Sequence, residues 1–179
     1  GDRIVLLGDL IDRGPDARMV IRIARQRADT FVLKGNHEEM ALEGFSGEGG
    51  LAWSPPLDWL FNGGEQCLDS YRNGDGELIQ EDWVRDLVWM ASRPHMILLD
   101  EWILVHAGVD PTTTLENQSA KKLLWIRSKF HNSSKTVDSR RTVVFGHSIT
   151  HRVLGQSIGD IGRSEFNLED GRPFWLGID

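Results

Sequence analysis

Gly8-Asp9-Leu10-Ile11-Asp12-Arg13-Gly14 sets two carboxylates and a guanidinium within a single loop-sized stretch. A carboxylate there can hold a metal ion, and a guanidinium beside it can fork onto phosphate oxygens. The plain alternative is a solvated turn in which Asp12 and Arg13 only pair with each other. Three further stretches bear on the choice: Gly35-Asn36-His37-Glu38, His106-Ala107-Gly108 and Gly146-His147. Each of the four follows a short apolar run and flanks its polar residues with glycine, which lets a backbone turn sharply and approach a ligand closely. Gathered at one edge of a sheet, Asp9, Asn36, His106 and His147 would offer one carboxylate, one amide oxygen and two imidazoles. That mixed set suits Mn, Fe or Zn better than a calcium cage.

The elements that must position these groups are legible in outline. Arg3 to Leu7 reads as a buried strand ending in the first motif, and Thr30 to Lys34 as a second strand ending in Gly35-Asn36. Between them, Pro15-Asp16 opens a helix in which Met19, Val20, Ile23 and Ala24 form the apolar face over residues 17–27. The glycine-rich stretch 44–56 is a loop. Leu57 to Tyr71 reads as helical but broken by Gly63-Gly64, and Gln80 to Ser92 as an amphipathic helix with Trp83 and Trp89. Met96 to Leu99 and Trp102 to Val105 flank Asp100-Glu101 as a hairpin. Ala120 to Phe130 reads as one helix, Asn132 to Arg141 as a polar loop, Thr142 to Phe145 as a strand and Pro173 to Ile178 as a last strand.

Composition narrows the classes. The 179 residues are most simply one domain spanning 1–179, with 40% hydrophobic and 26% charged residues. A net charge of −7, with Lys121-Lys122 and Arg140-Arg141 as the only basic doublets, argues against a nucleic-acid partner. It does not exclude a phosphorylated substrate, because bound cations would invert the local field. No apolar stretch has the length of a membrane span, and the single Cys67 suits a reducing, cytoplasmic setting. Cys67 lies away from every motif and reads as a buried residue, and the seven tryptophans read as core.

The four motifs together resemble the calcineurin-like metallophosphoesterases, and within them the bacterial and phage branch of the PPP-type serine/threonine protein phosphatases. Trp59-Leu60-Phe61-Asn62-Gly63-Gly64 and Leu124-Trp125-Ile126-Arg127 support that branch. The resemblance implies an α/β chain of the four-layer α+β type, a central β-sandwich of mixed sheets flanked by helices. It implies that Asp9 bridges two divalent ions, with Mn expected and Fe, Zn or Ni possible metals. Asn36, His106 and His147 would complete the protein ligands of one ion. His37 would be the general acid, Asp12 its hydrogen-bonded partner, and Arg13 and Arg127 the phosphate clamp. The implied reaction is hydrolysis of a phosphoester in a phosphoprotein or small molecule, by direct attack of a metal-bridging hydroxide. Trp125 would pack the core behind Arg127. Glu38 closes its motif with no chemical role assigned.

The likeness has gaps. Family members carry Gly-Asp-x-His-Gly upstream of the first motif, and no Asp-x-His occurs in this chain. The expectation is a second metal site left incomplete, in a domain lacking its first strand and its C-terminal strands. His95, His131 and His151 lie outside the motifs and read as structural or surface residues. Two other functions stay open: dinucleoside-polyphosphate hydrolysis, whose enzymes share Gly-Asp-x-x-Asp-Arg-Gly, and a degenerate phosphatase that only binds phosphorylated partners.

Overall fold

The computed structural model describes residues 1–44 and 53–179, so most of the 44–56 loop lies outside the described residues. The chain forms two compact units, Gly1–Arg93 and Pro94–Asp179.

The first unit is built on a parallel pair, β1 (Ile4–Leu6) and β2 (Thr30–Val32), in the register Val5 opposite Phe31. The crossover between them is α1 (Ala17–Gln26), as a parallel pair requires. The Asp16 side chain caps α1 by accepting from the Met19 N–H at 2.9 Å. α2 (Asn36–Leu42) begins directly after β2. Next come α3 (Leu57–Trp59), a wide π-type turn (Leu60–Gly64), α4 (Glu65–Asp69) and α5 (Gln80–Ala91). The break at Gly63-Gly64 is real, for Gly63 leaves helical geometry at φ 112°.

Two expectations for this unit change. α1 buries Ala17, Ile21 and Ala24, while Met19, Val20 and Ile23 face solvent. Beside that face Arg18 pairs with Asp82, and Arg25 with the buried Asp86, both on α5. These pairs tie α1 to α5, a contact that a hydropathy pattern cannot anticipate. β1 is also half-exposed rather than buried, having one neighbouring strand among the described residues. The core lies among the helices, where Trp53, Trp59, Tyr71 and Trp83 form an aromatic cluster with ring centroids 4.9–5.7 Å apart.

The second unit holds a mixed sheet of β3 (Met96–Leu98), β4 (Trp102–Val105), β5 (Thr142–Phe145), β6 (Gly162–Arg163) and β7 (Trp175–Gly177), ordered β3-β4-β5-β7-β6. β3 and β4 are the expected antiparallel hairpin, and β4 runs parallel to β5. The expected helix over 120–130 is instead two, α6 (Ala120–Trp125) and α7 (Ser128–His131). Ile126 is extended and Arg127 leaves helical geometry altogether, at φ −133° and ψ −112°. Trp125 is 43% exposed, so it does not pack the core behind Arg127. That place is taken by Leu123, Leu124, Ile126 and Phe130, all buried. α8 (Thr150–Val153) carries His151 exposed, as a surface residue.

The motif-bearing strand ends therefore belong to two sheets, not to one edge. β1 and β2 lead into Asp9 and Asn36, and β4 and β5 into His106 and His147.

Candidate active site

In the first unit the β1 end and the α2 start are packed backbone on backbone. A Cβ on Gly8 would lie 2.4 Å from the Gly35 nitrogen, and one on Gly35 would lie 2.2 Å from Asp9 Oδ1. Only glycine fits at either place. The close approach lets the His37 N–H, at the helix start, donate to Asp9 Oδ1 at 3.1 Å.

Beyond Asp9 the loop is strained. Asp9, Asp12 and Arg13 all have positive φ, at 55°, 74° and 57°. The Gly14 N–H donates to the Asp12 carbonyl at 2.5 Å, closing a three-residue turn around Arg13. Turns of this kind with positive φ at the centre are rare and cost energy, and such strain concentrates at working sites. Here it is held by neighbours. The Arg13 N–H donates to the Gly63 carbonyl at 3.2 Å and its Nε to the Asn62 carbonyl at 3.1 Å.

These contacts order a relay. His37 Nδ1 lies 2.5 Å from Asp12 Oδ2, and Trp59 Nε1 donates to both Asp12 oxygens, at 3.0 and 2.9 Å. On the other side of the imidazole, Arg13 Nη2 reaches His37 Nε2 at 3.2 Å. Burial by itself would lower the His37 pKa. The Asp12 hydrogen bond, with the charges of Asp9 and Asp12, outweighs burial and the opposing Arg13 and raises it. Burial likewise raises Asp12, against the pull of His37 and Trp59. Glu38 is fully buried and its carboxyl is pushed up to about 7, by burial first and then by the Asp9 charge.

The second unit brings together His106, His147 and, on a separate element, Arg127. The β4 and β5 ends are joined by the Gly146 N–H donating to the His106 carbonyl at 2.9 Å. The two imidazoles stand side by side, ring centroids 5.0 Å apart at 61°. His147 occupies a strained turn like that of Arg13: its φ is 62°, and the Ser148 N–H donates to the Gly146 carbonyl at 2.6 Å. The exposed Arg127 donates through Nη1 to the buried Ser148 Oγ at 3.3 Å, next in sequence to His147.

The donor types in both halves are those of divalent-ion ligands: a half-buried carboxylate beside a buried asparagine, and paired imidazoles at adjoining strand ends. Among the described residues, the four non-glycine positions with positive φ are Asp9, Asp12, Arg13 and His147. All four carry motif chemistry. His131 is buried and stacked on Phe145, centroids 5.1 Å apart, and Cys67 is buried with its thiol pushed up by burial and the Asp12 charge. Neither offers reactivity.

Two contributors escape a reading of residue types. Trp59 counts as core in the sequence, yet its N–H holds Asp12; the hint was its place in Trp59-Leu60-Phe61-Asn62-Gly63-Gly64. Glu38 received no role, although it stands inside a motif.

Comparison with known proteins bears on these residues directly. A family model described as calcineurin-like phosphoesterase matches residues 1–173. Serine/threonine-protein phosphatase 1 of Salmonella typhimurium is 44% identical over 161 residues, 84% of this chain and 67% of that protein. A symmetrical bis(5'-nucleosyl)-tetraphosphatase of Methylobacillus flagellatus is 30% identical over 116 residues, 64% of this chain and 36% of that protein. A serine/threonine phosphatase structure from Saccharomyces cerevisiae superposes with a TM-score of 0.53 at 14% identity, over 98% of this chain and 57% of that one, a likeness of fold. The chain spans about two thirds of the length of the curated bacterial protein phosphatases it matches.

Proposed function

Because this chain belongs to the calcineurin-like phosphoesterase family, we propose that it is the catalytic part of a metal-dependent phosphomonoesterase acting on phosphoserine or phosphothreonine in proteins. The observation that carries the reading is the Trp59–Asp12–His37–Arg13 relay, a proton donor built beside a phosphate-binding guanidinium. Asp9 with Asn36, and His106 with His147, are the residues that would hold divalent metal, with manganese favoured by the mixed N/O set. Divalent ions held there would supply Lewis acidity and lower the pKa of bound water.

The protein's own groups do the rest. With Nδ1–H donating to Asp12, Nε2 is the nitrogen that accepts from Arg13. A phosphoryl group draws Arg13 onto its oxygens, joined by Arg127, and the two guanidiniums balance the charge that spreads in the transition state. Freed from Arg13, Nε2 takes up a proton from solvent, which the raised His37 pKa supports, and passes it to the departing alkoxide. A phosphoprotein substrate agrees with the 44% identity to a protein phosphatase over most of the chain and with the Trp59 to Gly64 stretch. The single, buried Cys67 agrees with a cytoplasmic setting, and no helix among the described residues is long and apolar enough to cross a membrane.

The test is turnover by the whole protein with added Mn²⁺, on p-nitrophenyl phosphate, a phosphoserine peptide and diadenosine tetraphosphate. Loss of turnover in Asp9→Asn and His37→Ala is expected; unchanged turnover in both would sink the mechanism. The tetraphosphatase likeness supports a second reading, dinucleoside-polyphosphate hydrolysis, and faster turnover of the tetraphosphate than of the peptide would favour it. A chain that binds the phosphopeptide but never hydrolyses it would be the degenerate binder.

A further inference from the structure

Glu38 is the third residue of α2 and 2% exposed, with a carboxylate wholly committed to backbone. Its Oε2 accepts from the Gly35 N–H at 2.7 Å and from the Asp9 N–H at 2.9 Å, and its Oε1 from the Leu10 N–H at 2.6 Å. The first of these bonds is ordinary, since an N3 glutamate often reaches back to the backbone N–H of the cap residue. The other two are not. They cross to a loop nearly thirty residues away and land on the backbone of Asp9 itself and of its neighbour.

We propose that Glu38 is a positioning residue, a clamp that sets the separation between the Asp9 carboxylate and the Asn36-His37 pair. The clamp works in both directions: α2 lends the His37 N–H to the Asp9 side chain, and takes the Asp9 N–H onto the Glu38 side chain. Asp9 is thereby gripped at both ends while its backbone sits at a strained positive φ, which needs surrounding bonds to persist. The Gly8 and Gly35 contact removes side-chain bulk between the two loops, so the clamp acts directly across two backbones in contact. Its three donors and its burial leave Glu38 no open face toward a substrate, which separates it from an acid or base.

The inference rests on the phosphatase reading for its consequence, but its chemistry can be tested apart. Glutamine is nearly isosteric and has one accepting oxygen. Glu38→Gln must set its NH₂ group against at least one of the three N–H donors. Partners behind metal ligands commonly change metal affinity or activity by about 10–100-fold, and a loss in that range is expected here for Mn²⁺ affinity and for kcat, with KM moving less. Glu38→Ala should lose more, so glutamine counts as partial rescue. Leu87→Ala, a buried change on α5 away from the motifs, is the control for lost stability alone.

The measurements are Mn²⁺ binding by calorimetry, kcat and KM on p-nitrophenyl phosphate, and Tm of the metal-free whole protein. Mn²⁺ affinity and kcat that fall in both Glu38 variants but not in Leu87→Ala at a similar Tm loss support the clamp. Glu38 variants that match Leu87→Ala in both readouts overturn it. A wild type that hydrolyses nothing would sink the phosphatase reading, and Mn²⁺ affinity would still decide the clamp.

Discussion

Two buried histidines, one in each unit, shift in opposite directions. His37 is raised because carboxylates of Asp12 and Asp9 outweigh its burial, whereas His131 is lowered to about 4 by burial, with the Arg127 charge adding to it. The environments differ in the same sense. Around His37 the polar groups form a chain of hydrogen bonds running through Trp59, Asp12 and Arg13. Around His131 the partners are rings, Phe130, Phe145 and Trp175, and its Nε2 has no hydrogen-bond partner among the described residues. Burial alone thus favours a neutral ring; burial beside paired carboxylates favours a protonated one. The glycines divide likewise. Gly35 is hemmed in by Asp9 and Glu38, while a Cβ on Gly146 would meet its nearest neighbour, the His106 carbonyl oxygen, at an ordinary 3.9 Å.

The largest effect should come from breaking the first histidine. His37→Ala should lower kcat by about 10²–10⁴, the usual contribution of a positioned general acid, with the metal still bound. His131→Ala should leave kcat at saturating Mn²⁺ within a few-fold. Equal losses in the two variants would erase the contrast.

Glycine substitution comes next. Gly35→Ala drives a Cβ to 2.2 Å from Asp9 Oδ1 and 2.3 Å from the Asp9 nitrogen, and should cost about 4 kcal/mol or prevent folding. Gly146→Ala meets nothing nearer than 3.9 Å and should stay within about 1 kcal/mol, in urea unfolding of both variants.

Trp59→Phe keeps an aromatic ring in the cluster but removes the N–H bonded to Asp12 together with part of the buried indole, whose lost packing adds to the cost. A hydrogen bond to a charged group contributes about 1.5–3 kcal/mol, and a fall in stability of that order is expected. The pH profile of kcat should move as well, because Asp12 loses a donor that orients it toward His37. A stability loss with an unmoved profile would reduce Trp59 to core.

The smallest effect is a slope. His131 has a folded pKa of about 4, below the ordinary unfolded value of about 6.5. The fold therefore favours the neutral ring. Its contribution is full above pH 6.5 and is lost as pH falls through 4, because the unfolded chain binds the proton first. Urea midpoints from pH 7 to pH 4 should fall less steeply in His131→Phe than in the wild type.

Sequence reading reached far at the strand ends and less far between the helices. Asp9, Asp12, Arg13, Asn36, His37, His106 and His147 were legible because their chemistry is local: a short β-rich run, a glycine, then a ligand-type residue. The hairpin at Asp100-Glu101 and the break at Gly63-Gly64 were legible for the same reason. Legibility failed where a distant partner decided the outcome. The tie between α1 and α5 runs through Asp82 and Asp86, more than sixty residues on. Arg127 sits at a helix break that residue types in 120–130 do not announce, and Trp125 is left outside.

Residue identity and order alone determined which groups could do chemistry and that Asp9, Asn36, His106 and His147 would stand at strand ends. Tertiary structure alone decided that Trp59 braces Asp12 and that Glu38 ties the Asp9 loop to α2. It also decided which buried histidine gains a proton and which loses it. The physical reason is that hydrogen-bond partners and desolvation act through space, and neither is written in the spacing of residues along a chain.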